Sequence, residues 1–248
     1  MTTTTFDERA AYFDRHDALV LADLHVGRGE ASAVSLPLGE REDLVGRLER
    51  LVTRFDPETV VVAGDVVHTF DRVSDRSLET LAALREVCRA NGAAFELVAG
   101  NHDAALASAW EGPVHEAYVL DAADAPRTVV CHGHEAPTTA ADRYVIGHVH
   151  PTIEIEGDRR PCFLRGDGVY RGADLLVLPA FTRLAPGVAV NNIRTGAFDS
   201  PLVTDADELA PVVFDSKAGD ADGAGDGAGG NAGEPLEFPP LGAFRGML

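Results

Sequence analysis

Leu19-Val20-Leu21-Ala22-Asp23-Leu24-His25 joins a short apolar run to the first polar cluster of the chain. The run has the length and character of a buried strand, and an acid and an imidazole stand at its end. Outward from it, Arg41 to Phe55 places Leu44, Leu48, Leu51, Val52 and Phe55 on one face of an amphipathic helix, which Pro57 ends. Thr59-Val60-Val61-Val62-Ala63 follows as a second buried strand. Arg76 to Ala90 repeats the helical spacing with Leu78, Leu81, Leu84, Val87 and Cys88, and Asn91-Gly92 closes it. Ala94 to Ala99 is then a third strand. Strand, helix, strand, helix, strand predicts a mostly parallel sheet covered by helices.

The second half is written differently. Strands are expected over 114–120, 128–131, 144–146, 153–156, 174–178 and 187–190, with one short late helix over 205–210. Two packed sheets, with helices mainly from the first half, accommodate that order. Residues 1–216 are read as one folded domain. Residues 217–234 hold Gly, Ala and Asp in low-complexity order and predict a disordered insert, because they bury too little apolar surface to offset chain entropy. Residues 235–248 turn apolar again, as a tail able to dock on the domain.

Composition narrows the class. No apolar run is long enough to span a membrane, and the N-terminus lacks the basic-then-apolar pattern of a secretion signal, so a cytoplasmic protein is expected. Cys88, Cys131 and Cys162 are scattered and odd in number, which argues against a disulfide framework and against a C-x-x-C zinc module. Forty acidic residues face 21 basic ones, of which only Lys217 is a lysine, giving a net charge of -19. Such self-repulsion suits a high-salt, halophilic cytoplasm and says little about partners.

Seven of the nine histidines fall into five clusters: Asp23-Leu24-His25, Gly64-Asp65-Val66-Val67-His68, Gly100-Asn101-His102-Asp103, His132-Gly133-His134 and Gly147-His148-Val149-His150-Pro151. Each follows an apolar strand, and strand ends of an α/β sheet converge on one crevice. Imidazole, carboxylate and amide oxygen together suit a borderline divalent metal. In D-x-H and H-x-H an extended chain would turn both side chains the same way. The glycines before Asp65, Asn101 and His148 are expected to permit tight turns. Any one cluster alone reads as an ordinary turn or helix cap; five in this order do not.

The ordered set D-x-H, G-D-x-x-H, G-N-H-D, H-G-H, G-H-x-H resembles the calcineurin-like metallophosphoesterase superfamily over residues 18 to 190. More narrowly, Ala22 to Gly27, Gly64-Asp65 with His68, and Gly147 to Pro151 look like archaeal phosphoesterases related to the SbcD nuclease, and ligase-associated bacterial phosphoesterases share much of this pattern. The resemblance implies a four-layer α/β/β/α sandwich of two mixed sheets that holds two divalent metal ions, manganese first, with iron, zinc, nickel or cobalt as alternatives. It implies that Asp23, His25 and His150 bind one ion, that Asp65 bridges both, and that Asn101, His132 and His148 complete the second. His102 then matches the family's catalytic histidine, with Asp103 orienting it. His134 takes a supporting place, exchangeable with His132, and His68 departs from the better-known G-D-x-x-[DN] form, which leaves its role open.

The implied reaction is in-line attack of a metal-bridging hydroxide on a phosphate ester. Arg28, one residue past D-x-H-x-G, reads either as a contact to a phosphate oxygen or as a solvated loop arginine. No lysine-rich stripe marks a nucleic-acid groove, although high salt weakens phosphate contacts and removes the need for one. Phosphodiester hydrolysis, including nuclease action, is the leading expectation. A phosphomonoesterase or small-molecule phosphodiesterase is second, and a non-catalytic scaffold on the same fold third. No membrane partner is expected, and the oligomeric state is left open.

Overall fold

The computed structural model describes residues 4–31, 39–193, 195–214 and 235–245; the segment expected to be disordered, 217–234, lies outside the described residues. The first half builds strands β1 (Thr4–Asp7), β2 (Ala10–Phe13) and β3 (Ala18–Leu21), helices α1 (Arg28–Ala31) and α2 (Glu40–Phe55), strand β4 (Thr59–Ala63), helix α3 (Asp75–Ala90), strand β5 (Ala94–Val98), helix α4 (Leu106–Ala109) and strand β6 (Val114–His115). The strands form one sheet in the order β1-β2-β3-β4-β5-β6, parallel from β3 to β6 and antiparallel at the β1-β2-β3 edge.

The helix limits follow local chemistry. Asp56 caps α2 in the left-handed conformation, its N–H reaching the Val52 carbonyl at 2.9 Å, and Pro57 next to it disfavours any further helical residue. Ser74 caps α3 by accepting from the Ser77 N–H at 3.0 Å.

The second half supplies β7 (Tyr118–Leu120), β8 (Thr128–Cys131), β9 (Arg143–Ile146), β10 (Pro151–Ile155), β11 (Asp158–Pro161), β12 (Phe163–Tyr170), β13 (Ala173–Val177), β14 (Val188–Ala189), β15 (Ala210–Val213), β16 (Leu236–Glu237) and helix α5 (Leu241–Arg245). Seven of these strands make a second mixed sheet, β16-β15-β12-β13-β9-β8-β7, and β11-β10-β14 make a small third one. Strand alternation sorts the core into layers. Leu19, Leu21, Val60, Val62 and Leu97 face Leu44, Leu48, Leu51, Leu81 and Leu84 of the helices. Their neighbours Val20, Val61, Ala63 and Val98 face Val130, Val145, Phe163 and Leu176 of the second sheet. The far side of that sheet packs Ile146, Leu164 and Val177 against Val190, Leu202, Leu209 and Leu241. The result is the mixed α/β layering expected, its outermost layer made of 3-10 turns, α5 and the small sheet.

Two expectations change. The segment 114–120 is not one strand: Val114 and His115 pair with β5, whereas Tyr118 to Leu120 pair with β8, so it carries the chain from one sheet to the other. The late helix is a single 3-10 turn, Ala206–Glu208, because Ala210 precedes Pro211 and is already extended in β15. From the tail, β16 pairs with β15, and Leu241 is fully buried. Among the described residues no helix is long and apolar enough to cross a membrane.

Candidate metal centre

All five clusters lie at the carboxyl ends of strands: Asp23 after β3, Asp65 after β4, Asn101 after β5, His132 after β8 and His148 after β9. The two sheets therefore meet at one crevice, where β3, β4 and β5 face β8 and β9.

The backbone there is not extended, contrary to the expectation for D-x-H and H-x-H. Asp23, His25, Asp65, His148 and His150 all have positive φ, from 44° to 65°. Each such residue stores of order 1–3 kcal/mol of strain, and strain of this kind concentrates at functional sites. Side chains are brought together by kinked backbone, which interlocking hydrogen bonds hold: Asp23 N–H to Gly64 O at 3.1 Å, His25 N–H to Asp65 O at 2.9 Å. The glycines also act differently from expectation. Only Gly64 of the three has positive φ. A Cβ on Gly100 would lie 2.2 Å from the Asp65 nitrogen, and one on Gly147 would lie 2.6 Å from Asp23 Oδ2. Close approach, more than turning, is what requires glycine at 100 and 147.

Two donor sets result. In one, ligand atoms of Asp23, His25, Asp65 and His150 all lie within 4.8 Å of one another. His25 Nε2 and His150 Nε2 face each other at 3.3 Å, and His150 Nε2 is 3.3 Å from Asp23 Oδ1. In the other, His132 Nε2 lies 3.0 Å from Asn101 Oδ1, 3.2 Å from His148 Nδ1 and 3.3 Å from Asp65 Oδ1. The remaining oxygen, Asp65 Oδ2, is 3.6 Å from His25 Nε2, so one carboxylate faces both sets. His134 stands outside: its ring centre is 5.1 Å from that of His132, and its Nδ1 is buried without a hydrogen-bond partner among the described residues.

The rim carries His102. Its backbone N–H donates to Asp65 Oδ1 at 3.0 Å, and its Nδ1 meets the His68 carbonyl at 2.9 Å. A carbonyl only accepts, so the proton sits on Nδ1 and Nε2 is turned to the site, 3.8 Å from Asp65 Oδ2. Asp103, expected to orient His102, does so only through the backbone. Its carboxylate accepts from the N–H groups of Gly100, Val66 and Val67 at 2.7, 3.1 and 3.0 Å, tying the G-N-H-D loop to the G-D-x-x-H loop. The direct contact is the His68 carbonyl, which no spacing rule announces. His68 also brings its ring into a group with His25 and His102 whose ligand atoms lie within 4.8 Å.

Phe70, unremarked in the sequence, stacks on the His102 ring with centres 3.9 Å apart and stays half-exposed. Two residues past a strand-end motif, it had no periodic signal. Arg28 lies close enough for its charge to lower the His68 pKa, after burial, and to oppose protonation of His150.

The electrostatics are those of a cation site. Asp23 and Asp65 are buried, and among the described residues their ion-pair partners are histidines alone. Burial, then the Asp23 charge, pushes the Asp65 carboxyl up to about 7. Burial also drives His25 down to about 3 and His132 down to about 4, leaving both rings neutral, the form that binds metal. For His150, burial is outweighed by the adjacent Asp23 carboxylate, and its pKa is raised. Buried carboxylates without permanent cations, and opposed imidazole nitrogens that cannot both donate, fit divalent ions.

A family model for calcineurin-like phosphoesterases matches residues 17–177. No curated protein sequence matches the chain. Among solved structures, nuclease MPE of Pseudomonas putida is similar, at 23% identity and a TM-score of 0.58, over 86% of this chain and 96% of that one. YfcE, a phosphoesterase from E. coli, is similar at 17% identity and a TM-score of 0.43, over 69% of this chain and 83% of that one.

Proposed function

The chain belongs to the calcineurin-like phosphoesterase family and is a hydrolase of phosphate esters, and we propose that it cleaves phosphodiester bonds, nucleic acid among them, at a two-metal centre. One observation carries the reading: the two oxygens of Asp65 face two separate donor sets. Asp23, His25 and His150 hold one divalent ion and Asn101, His132 and His148 the other, with Asp65 shared. When bound, such ions supply a nucleophile near neutral pH and neutralise the phosphoryl charge. His102, its Nδ1–H kept on the His68 carbonyl and its Nε2 turned to the site, donates the Nε2 proton of its doubly protonated ring to the departing oxygen. Asp103 and the His68 carbonyl hold it in place, His134 supports the His132 and His148 rings, and Arg28 meets a non-bridging phosphate oxygen. Manganese is the ion we favour, with iron, zinc, nickel or cobalt as alternatives, since mixed nitrogen and oxygen donors accept several divalent metals.

The narrower kinship with archaeal SbcD-related enzymes of a halophilic cytoplasm belongs to the same proposal. It rests on Ala22 to Gly27 and Gly147 to Pro151, on the net charge of -19 and on three free, buried thiols.

Turnover of bis-p-nitrophenyl phosphate, p-nitrophenyl phosphate and single-stranded DNA with manganese tests the reaction. The diester and DNA are expected to be cleaved faster than the monoester. Cleavage of the monoester alone would make the chain a phosphomonoesterase, and no turnover with any divalent metal would leave a scaffold.

Metal uptake should depend on pH with a definite sign. Ligands bind only when deprotonated. Without metal, Asp65 titrates at about 7 and His150 above its ordinary value, so both hold protons as pH falls. Affinity is expected to weaken as pH drops from 8 to 6, with protons released on binding. Calorimetry in two buffers of different ionisation enthalpy reads that release; equal heats in both would contradict it.

A further inference from the structure

Beside the ligand His150 a cavity of about 270 Å³ opens, and no step assigned above uses it. Its wall includes Arg9, Arg159, Arg183, Pro186 and Gly187. In a chain with nearly two acids per base, three arginines line this one hollow, and among the described residues no carboxylate does. The placement is built. Arg9 occupies a left-handed turn position, φ 72°, where glycine or asparagine is usual, and its guanidinium donates to the carbonyls of Ala180 and Thr182 at 3.1 and 2.7 Å. Gly187 packs so tightly that a Cβ would lie 2.8 Å from the His150 carbonyl, and Val188 N–H donates to that carbonyl at 2.9 Å. The wall is thus continuous with the backbone of a ligand of the candidate centre. Glu8 and Asp43 stand beside Arg183 at 3.7 and 3.4 Å, which fixes its side chain and offsets part of its charge. Arg159 is exposed on β11.

A volume a little below the ~300 Å³ at which small-ligand pockets begin suits one group of a substrate better than a whole molecule. Guanidinium forks recognise phosphate oxygens. We propose that this cavity is a subsite for a second phosphate of the substrate, next along the chain from the one being cleaved. His150 lines the cavity and His102 does not, so the subsite opens on the His150 side of the candidate centre. The inference rests on the phosphoesterase reading and narrows its substrate class to esters that carry a neighbouring phosphate, as oligonucleotides do.

The test compares the dinucleotide dTpdT with its terminally phosphorylated forms pdTpdT and dTpdTp, in the full metal-loaded chain, with wild type, Arg159→Ala, and Arg159→Ala combined with Arg183→Ala. Arg9 is left intact because its carbonyl bonds serve the fold. Wild type is expected to favour one phosphorylated form by about tenfold in kcat/KM, the effect of one or two charge-assisted bonds. The double variant should lose that preference while its turnover of bis-p-nitrophenyl phosphate stays unchanged. A wild type without preference, or a double variant that keeps it, overturns the subsite. If no ester is turned over, the phosphoesterase reading fails by itself, and calorimetric titration with inorganic phosphate decides the subsite. Binding that the double variant loses sustains it, and identical isotherms reject it.

Discussion

Asp65→Asn is expected to lower phosphoester turnover by about a thousandfold and to strip metal from the centre. Asparagine has nearly the same volume, and Asp65 is 3% exposed, so packing is unchanged. Its amide oxygen can still accept the His102 N–H that Asp65 Oδ1 accepts at 3.0 Å. What is lost is one anionic oxygen and the charge that both donor sets share. Since Asp65 titrates at about 7 without metal, the asparagine variant resembles the protonated, metal-free protein at or below neutral pH. Its melting temperature should therefore match that of metal-depleted wild type, and added manganese should raise it far less, because stabilisation by a ligand follows its affinity for the folded state. Metal content by mass spectrometry, melting curves and turnover are read together. Near wild-type activity with both ions retained would sink the shared-ligand assignment.

Much of this centre was legible in the sequence because strand ends are legible. An apolar run of four or five residues followed by a polar cluster marks where a buried strand leaves the sheet, and five such endings place their clusters in one crevice. Asp23, His25, Asp65, Asn101, His132, His148 and His150 are gathered there as that logic expects. The logic fails where local periodicity carries no information. Asp23 and His25 reach the same place through left-handed backbone, whose cost the tertiary structure bears; an extended-strand argument gave the right neighbours for the wrong reason. The His68 carbonyl and the Phe70 ring act on His102 from a loop, where neither spacing nor hydropathy signals contact. The cavity beside His150 joins the β1–β2 turn, β11 and the loop before β14, three segments no local rule connects.

His102→Ala is expected to cost about 10²–10⁴-fold on esters whose leaving oxygen is a poor one, such as a nucleoside alkoxide, and far less on p-nitrophenyl esters. The argument is about where the proton is needed. An alkoxide departs slowly unless it is protonated as the bond breaks, whereas p-nitrophenolate is stable enough to leave unaided. His102 is prepared for that donation: Nδ1–H is held on the His68 carbonyl at 2.9 Å, Phe70 stacks on its ring with centres 3.9 Å apart, and Nε2, which carries the second proton of the doubly protonated ring, faces the site 3.8 Å from Asp65 Oδ2. The ring stands at the rim and contributes to neither four-residue donor set, so both ions should remain in the alanine variant. The measurement is the dependence of kcat/KM on leaving-group acidity over a series of diesters. Wild type should show a shallow slope and the variant a steep one. Parallel slopes with a uniform loss would mean that His102 holds the phosphate and leaves the proton to another group; the part-buried ring and its stack on Phe70 would then serve binding.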